Sequence, residues 1–129
     1  MKLVAAAIVI EHGRILLTRR GPGERLAGYW EFPGGKLESH ETPQDCIIRE
    51  LREELHLEAL AHDVIAESIY EYPGGTIKLI GVEVSLANSD LQLSVHDAFD
   101  WVLPSDILSF QLAPADIPIA EELVRRYGP

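Results

Sequence analysis

The stretch from Gly35 to Leu57, GKLESHETPQDCIIRELREELHL, constrains the fold more than any other part of the chain. Thr42 has the side chain of an N-cap, Pro43 suits the first helical position, and Asp45 stands three residues after the cap. A helix is therefore predicted from Thr42 to about Leu55. On it, Glu50, Glu53 and Glu54 stand at i, i+3 and i+4, within about 100° of arc. Ile47, Ile48, Leu51 and Leu55 occupy the neighbouring arc and must face a core. Three carboxylates at the border of a buried face repel one another unless a cation lies between them. Clustered oxygens with access to water suit a hard divalent ion, Mg²⁺ or Mn²⁺. The alternative is a solvated helix laced by Arg49–Glu53 and Arg52 contacts. Three neighbours favour the ion: the Gly34-Gly35 pair, whose carbonyls can turn inward, the acid Glu41 before the cap, and Arg19-Arg20.

Around this helix the pattern is that of one α+β domain spanning residues 1–129. Leu3 to Ile10 reads as a buried strand, since it is β-branched and ends in a Gly13 turn. At eight residues it is far too short for a membrane span, and no small-residue cleavage site follows it. Arg14 to Thr18 returns as a second strand, and residues 21–35 read as irregular and glycine-rich. Val64–Tyr72 and Thr76–Ser85 form a hairpin around Pro73-Gly74-Gly75, followed by a short strand near Asp100–Leu103. A last helix is predicted from Asp116 or Pro118 to Tyr127, with Ile119, Leu123 and Val124 on its inner face.

Eleven basic and 21 acidic residues give a net charge of −10, which argues against binding nucleic-acid polymers or an anionic membrane. A small phosphorylated ligand remains compatible, provided cations mediate the contact. The single cysteine, Cys46, excludes an internal disulfide and a cysteine-rich zinc site, and points to a reducing, cytoplasmic compartment. Cys46 itself reads as a small buried residue, and Trp30 and Trp101 as core or pocket wall. Phe32, Tyr70 and Tyr72 are candidates to line a nucleobase slot.

The residues Gly35, Glu41, Arg49-Glu50, Leu51, Glu53-Glu54 and Leu57 resemble the Nudix box, with His56 where that motif has glycine. The lead-in LAGYWEFPGG and the segment Pro114-Ala115-Asp116-Ile117-Pro118 look like the MutT-like branch, so the resemblance covers essentially the whole chain. It implies a Nudix fold, an α/β/α sandwich around a mixed β-sheet. It also implies Mg²⁺- or Mn²⁺-dependent hydrolysis of a nucleoside triphosphate to a monophosphate and pyrophosphate. Carried over by position, Glu50, Glu53 and Glu54 with the Gly34 carbonyl would be metal ligands, and Glu53 or Glu50 the general base. Arg20 would contact phosphate, Arg49 would orient the carboxylates, and Glu41 would support them. Asp116 and Phe32 would meet the nucleobase, although Asp116 can equally cap the last helix. Relatives often carry a further Glu just ahead of a His near the penultimate strand. This chain has Val95-His96-Asp97 there, which leaves three options: Asp97 substitutes, His96 substitutes, or the box alone holds the ions. His56 is expected in the left-handed conformation that closes the helix.

The resulting expectation is sanitation of the nucleotide pool by hydrolysis of oxidised triphosphates such as 8-oxo-dGTP, in a monomer or homodimer. The alternatives are a CTP or modified-dCTP pyrophosphatase, an ADP-ribose hydrolase, and a Nudix regulator that binds nucleotides without hydrolysing them.

Overall fold

A computed structural model describes residues 1–128. Its strands are β1 (Lys2–Glu11), β2 (Arg14–Arg20), β3 (Trp30–Glu31), β4 (Gly34–Lys36), β5 (Ala59–Tyr72), β6 (Gly75–Leu86) and β7 (His96–Val102). The helices are α1 (Pro43–Leu55) and α2 (Ile117–Tyr127), with 3-10 turns at Pro104–Ser109 and Pro114–Asp116.

β1 organises the molecule, because its side chains alternate between two cores. Ala5, Ala7 and Val9 pack with Ile47, Leu51 and Leu55 of α1. Ala6 and Ile8 pack with Ile119, Ala120 and Leu123 of α2. The result is the expected α/β/α sandwich. Burying one Leu or Ile completely contributes about 1.5–3 kcal/mol, so the inner stripe of α1 suffices to hold it on the sheet. The sheet is mixed: β1 runs parallel to β6 and antiparallel to β4, while β5 and β6 form an antiparallel hairpin.

The site owes its place to a fork in this sheet. β1 and β2 join through the two-residue turn His12-Gly13, where both residues have positive φ. They pair only at Ile10–Ile15 and Glu11–Arg14, and then diverge. β4 fills one arm beside β1; β3 and β7 pair with β2 on the other. The glycine-rich stretch is therefore not wholly irregular, since it contributes both β3 and β4. Gly34 is obligatory here, because a Cβ on it would lie 2.0 Å from the Ala5 carbonyl oxygen.

Other boundaries also move. β5 starts at Ala59 rather than Val64, with register shifts between Ala61 and Ala66 that interrupt the alternation. β7 covers His96–Val102 rather than Asp100–Leu103, because its whole length pairs with β2. Helix α1 matches its expectation, including a capping box between Thr42 and Asp45. His56 closes it at φ 58°, ψ 33°, in the left-handed conformation. Among the described residues, no helix is long and apolar enough to cross a membrane.

Candidate active site

The fork opens into a cleft of about 170 Å³, lined at one end by Gly34 and Gly35 and at the other by Asp116, Phe32 and Tyr72. That volume is below the roughly 300–1,000 Å³ of a pocket enclosing a whole drug-sized ligand, so it suits one ring system with the remainder outside.

The carboxylate end is built on α1. Glu50 lies over Gly35, and a Cβ there would meet its carboxyl carbon at 2.4 Å. Glu54 lies one turn further along the same face, close enough for the two carboxyls to influence each other. Burial first, then the charge and hydrogen bond of Glu50 and the charge of Glu31, push Glu54 up to about 8; Arg20 acts in the opposite direction. Arg49 ties the group together. Its Nε donates to Glu41 Oε2 at 2.7 Å, Nη2 to Glu41 Oε1 at 2.9 Å, and Nη1 to Glu50 Oε1 at 2.9 Å. These hydrogen bonds, with that of the Glu38 N–H, hold Glu41 down at about 2. Glu41 thus anchors Arg49, and Arg49 aims Glu50.

Glu53 is the most open of the three α1 carboxylates. Its side chain is 59% exposed, and its oxygen stands 3.4 Å from Arg49 Nη1, the nitrogen that also donates to Glu50 at 2.9 Å. Among the described residues, no group of three His, Cys, Asp or Glu side chains is arranged to hold a metal ion. Of the solvated-helix alternative, the Arg49–Glu53 contact is present, but Glu50 is only 14% exposed and Arg52 pairs with Glu58 beyond the helix.

At the other end Asp116 is buried, and its Oδ2 accepts from the Phe32 N–H at 3.0 Å. Asp116 holds the N-cap position of α2, but its side chain makes no capping bond to the helix. Burial, reinforced by Glu31, pushes Asp116 up to about 8, against the Phe32 N–H and the charge of Arg20. The Phe32 ring belongs to the core on the α2 side. Tyr72 lines the cleft and its hydroxyl accepts from the Ala115 N–H at 3.1 Å. Tyr70 is exposed, packs against Tyr72 with the rings tilted, and does not line the cleft.

Between the two ends stands Glu31, which the sequence reading missed. Its Oε1 accepts from Arg20 Nε at 2.9 Å, and its Oε2 pairs with His96 Nε2 at 3.0 Å. The available signal was a lone acid alternating with Trp30 and Phe32, which places it on the opposite face of a strand from both. Arg20 also donates from Nη1 to the Arg25 carbonyl at 3.0 Å, so two of its three guanidinium nitrogens are engaged within the protein. Neither residue after Val95 joins the α1 carboxylates: His96 goes to Glu31, and Asp97 pairs with Arg19 at 2.7 Å. Cys46 is buried, with its thiol pushed up to about 12 by that burial, which leaves it inert.

The sequence and fold match those of known proteins. The family model described as NUDIX domain matches residues 1–123. The chain belongs to that family. Among Nudix relatives, the CTP pyrophosphohydrolase of Escherichia coli K12 is 42% identical over 118 residues, covering 92% of this chain and 87% of that protein. The 8-oxo-dGTP diphosphatase of the same organism is 34% identical over 125 residues, covering 97% of each. Of solved structures, that of the E. coli ORF135 protein is 38% identical with a TM-score of 0.84, covering 100% of this chain and 94% of the other. The MutT protein of Methanosarcina mazei Go1 is 27% identical with a TM-score of 0.86, covering 97% and 94%. The chain is thus a Nudix hydrolase of the MutT-like kind.

Proposed function

We propose that this Nudix hydrolase cleaves nucleoside triphosphates with water to a monophosphate and pyrophosphate, and that cytosine is its preferred base. The observation that carries the base is the burial of Asp116 with no salt-bridge partner among the described residues. Such a carboxyl is neutral at pH 7. A neutral carboxyl offers one O–H donor beside an acceptor oxygen. Cytosine presents the complement, an acceptor ring nitrogen beside an amine. Guanine and its 8-oxo form present two donors, N1–H and the exocyclic amine, which match an ionised carboxylate instead. Oxidised guanine triphosphates are therefore the second reading, supported by the relatives named 8-oxo-dGTP diphosphatase.

The donor set fits a hard divalent cation, because Glu50 and Glu54 crowd together with oxygens alone and one of them is pushed towards neutrality. Glu50, Glu53, Glu54 and the Gly34 carbonyl would hold Mg²⁺ or Mn²⁺. When bound, the ion cancels charge on carboxylates and polyphosphate and polarises phosphoryl oxygens. Arg49 holds Glu50 in place, while Glu53, largely exposed, is free to turn towards a bound ion. Glu53, open to water, is the group that takes the proton of the attacking water. Arg20 Nη2, not used by Glu31 or the Arg25 carbonyl, would be left to donate to a phosphate.

The test is a turnover screen with pyrophosphate detection on CTP, dCTP, 5-modified dCTP, UTP and 8-oxo-dGTP, with Mg²⁺, with Mn²⁺ and with chelator. Highest kcat/KM on a cytosine triphosphate, and no turnover under chelation, are expected. Full turnover after exhaustive chelation would overturn the metal reading. A preference for 8-oxo-dGTP over every cytosine nucleotide would overturn the base.

A further inference from the structure

Glu31 is an odd residue to keep. It bears on Glu54 at one end of the cleft and on Asp116 at the other, and it raises the cost of ionising both. A carboxylate so placed needs donors, and it has two: Arg20 Nε on Oε1 and the His96 ring on Oε2. The imidazole is only 3% exposed, and its Nδ1 is buried without a partner. Buried N–H groups without acceptors are rarer than buried acceptors without donors, so the ring hydrogen belongs on Nε2, pointing at Glu31. His96 then serves Glu31 alone, from Nε2. Its other nitrogen does nothing for the fold, which is hard to reconcile with a purely structural role, since an apolar side chain would fill that space without the orphaned atom.

Each oxygen of Glu31 keeps an unused lone pair after these bonds, and the side chain lines the same cleft as Phe32 and Asp116. We propose that Glu31 accepts a hydrogen bond from the exocyclic amine of the substrate base, and that His96 is the positioning residue that fixes Glu31 for it. The inference rests on the reading of this cleft as the base pocket. It does not depend on which amine-bearing base is preferred.

The experiment compares amine-bearing substrates with their amine-free counterparts, CTP with UTP and 8-oxo-dGTP with 8-oxo-dITP, on the Mg²⁺-loaded full chain. Wild-type protein should favour the amine-bearing member of the pair it hydrolyses. His96→Leu, which keeps bulk and removes the donor, should cut that preference at least tenfold, through KM more than kcat. His96→Gln, whose side-chain amide can donate from near the Nε2 position, should restore it. Glu31→Gln, which turns an N–H towards the cleft, should lose the preference like His96→Leu, and gives an answer even if His96→Leu does not fold. Four results overturn the proposal: no amine preference in wild type, an unchanged preference in Glu31→Gln, no recovery in His96→Gln, or equal loss on both substrates in step with a lower Tm. A wild-type preference for 8-oxo-dGTP over CTP removes the cytosine reading alone, and the 8-oxo pair then tests this one.

Discussion

The carboxylate of Glu50 fills the space that a side chain at residue 35 would need: a Cβ on Gly35 would lie 2.4 Å from Glu50 Cδ and 2.5 Å from Oε1. The glycine of the motif is thus a seat for Glu50. The obstructed atoms are the far end of a flexible side chain, so Gly35→Ala should displace Glu50 rather than unfold the protein. Its stability cost should be about 0.5–1.5 kcal/mol, that of an off-rotamer side chain, while kcat falls at least about tenfold and the Mg²⁺ requirement rises. Gly34→Ala meets a backbone oxygen at 2.0 Å and should not fold stably. Denaturant titrations beside Mg²⁺-dependent kinetics separate the two.

Arg49 and Glu41 predict an acid limb. Glu41 titrates at about 2 in the folded protein, below its usual value near 4.5, because Arg49 and the Glu38 N–H bond its charged form. A depressed carboxyl stabilises the fold above its unfolded value and loses that contribution as pH falls towards its folded one. Glu41→Gln should therefore be less stable than wild type at pH 7, with the difference vanishing between about 4.5 and about 2. Urea titrations at pH 7, 4 and 2.5 check it. A constant difference would assign the loss to packing.

His56 closes α1 with φ 58°, and its N–H bonds the Arg52 carbonyl at 3.2 Å. The backbone, not the imidazole, makes this cap. His56→Gly should then stabilise the protein by about 0.5–1 kcal/mol, since glycine adopts this conformation without a Cβ penalty. A lower denaturant midpoint would show that the ring has a partner.

What was legible in the sequence followed from local rules. The capping box, the apolar stripe of α1 and the left-handed His56 are each decided within a few residues. β3 and β4 were hidden because two or three residues cannot show a period, and they exist through their pairing with β2 and β1. The spacing that puts Glu53 on the same arc as Glu50 and Glu54 says nothing about rotamers, and it does not show that Glu50 is 14% and Glu53 59% exposed. Glu31 and His96 are 65 residues apart, and only the β2–β3 and β2–β7 pairings bring them together.

Asp116 offers the sharpest test of the base. Its carboxyl, pushed up to about 8, is neutral at pH 7 and ionises as pH rises through that value. A raised carboxyl favours folding most below its unfolded value, here 3.8, and that contribution declines as pH climbs towards about 8. Ionisation also removes the O–H donor that cytosine needs, so wild-type kcat/KM for CTP should fall as pH passes about 8. Asn at this position carries a permanent N–H donor beside an acceptor oxygen and cannot ionise. In Asp116→Asn, CTP hydrolysis should therefore persist, the decline near pH 8 should disappear, and the stability slope between pH 4 and 8 should flatten. Asp116→Ala should lose about 1–3 kcal/mol in kcat/KM for the preferred base, with metal dependence unchanged. If Asp116→Asn instead keeps the wild-type pH profile, the group that titrates is elsewhere, and the neutral-carboxyl account of cytosine preference fails.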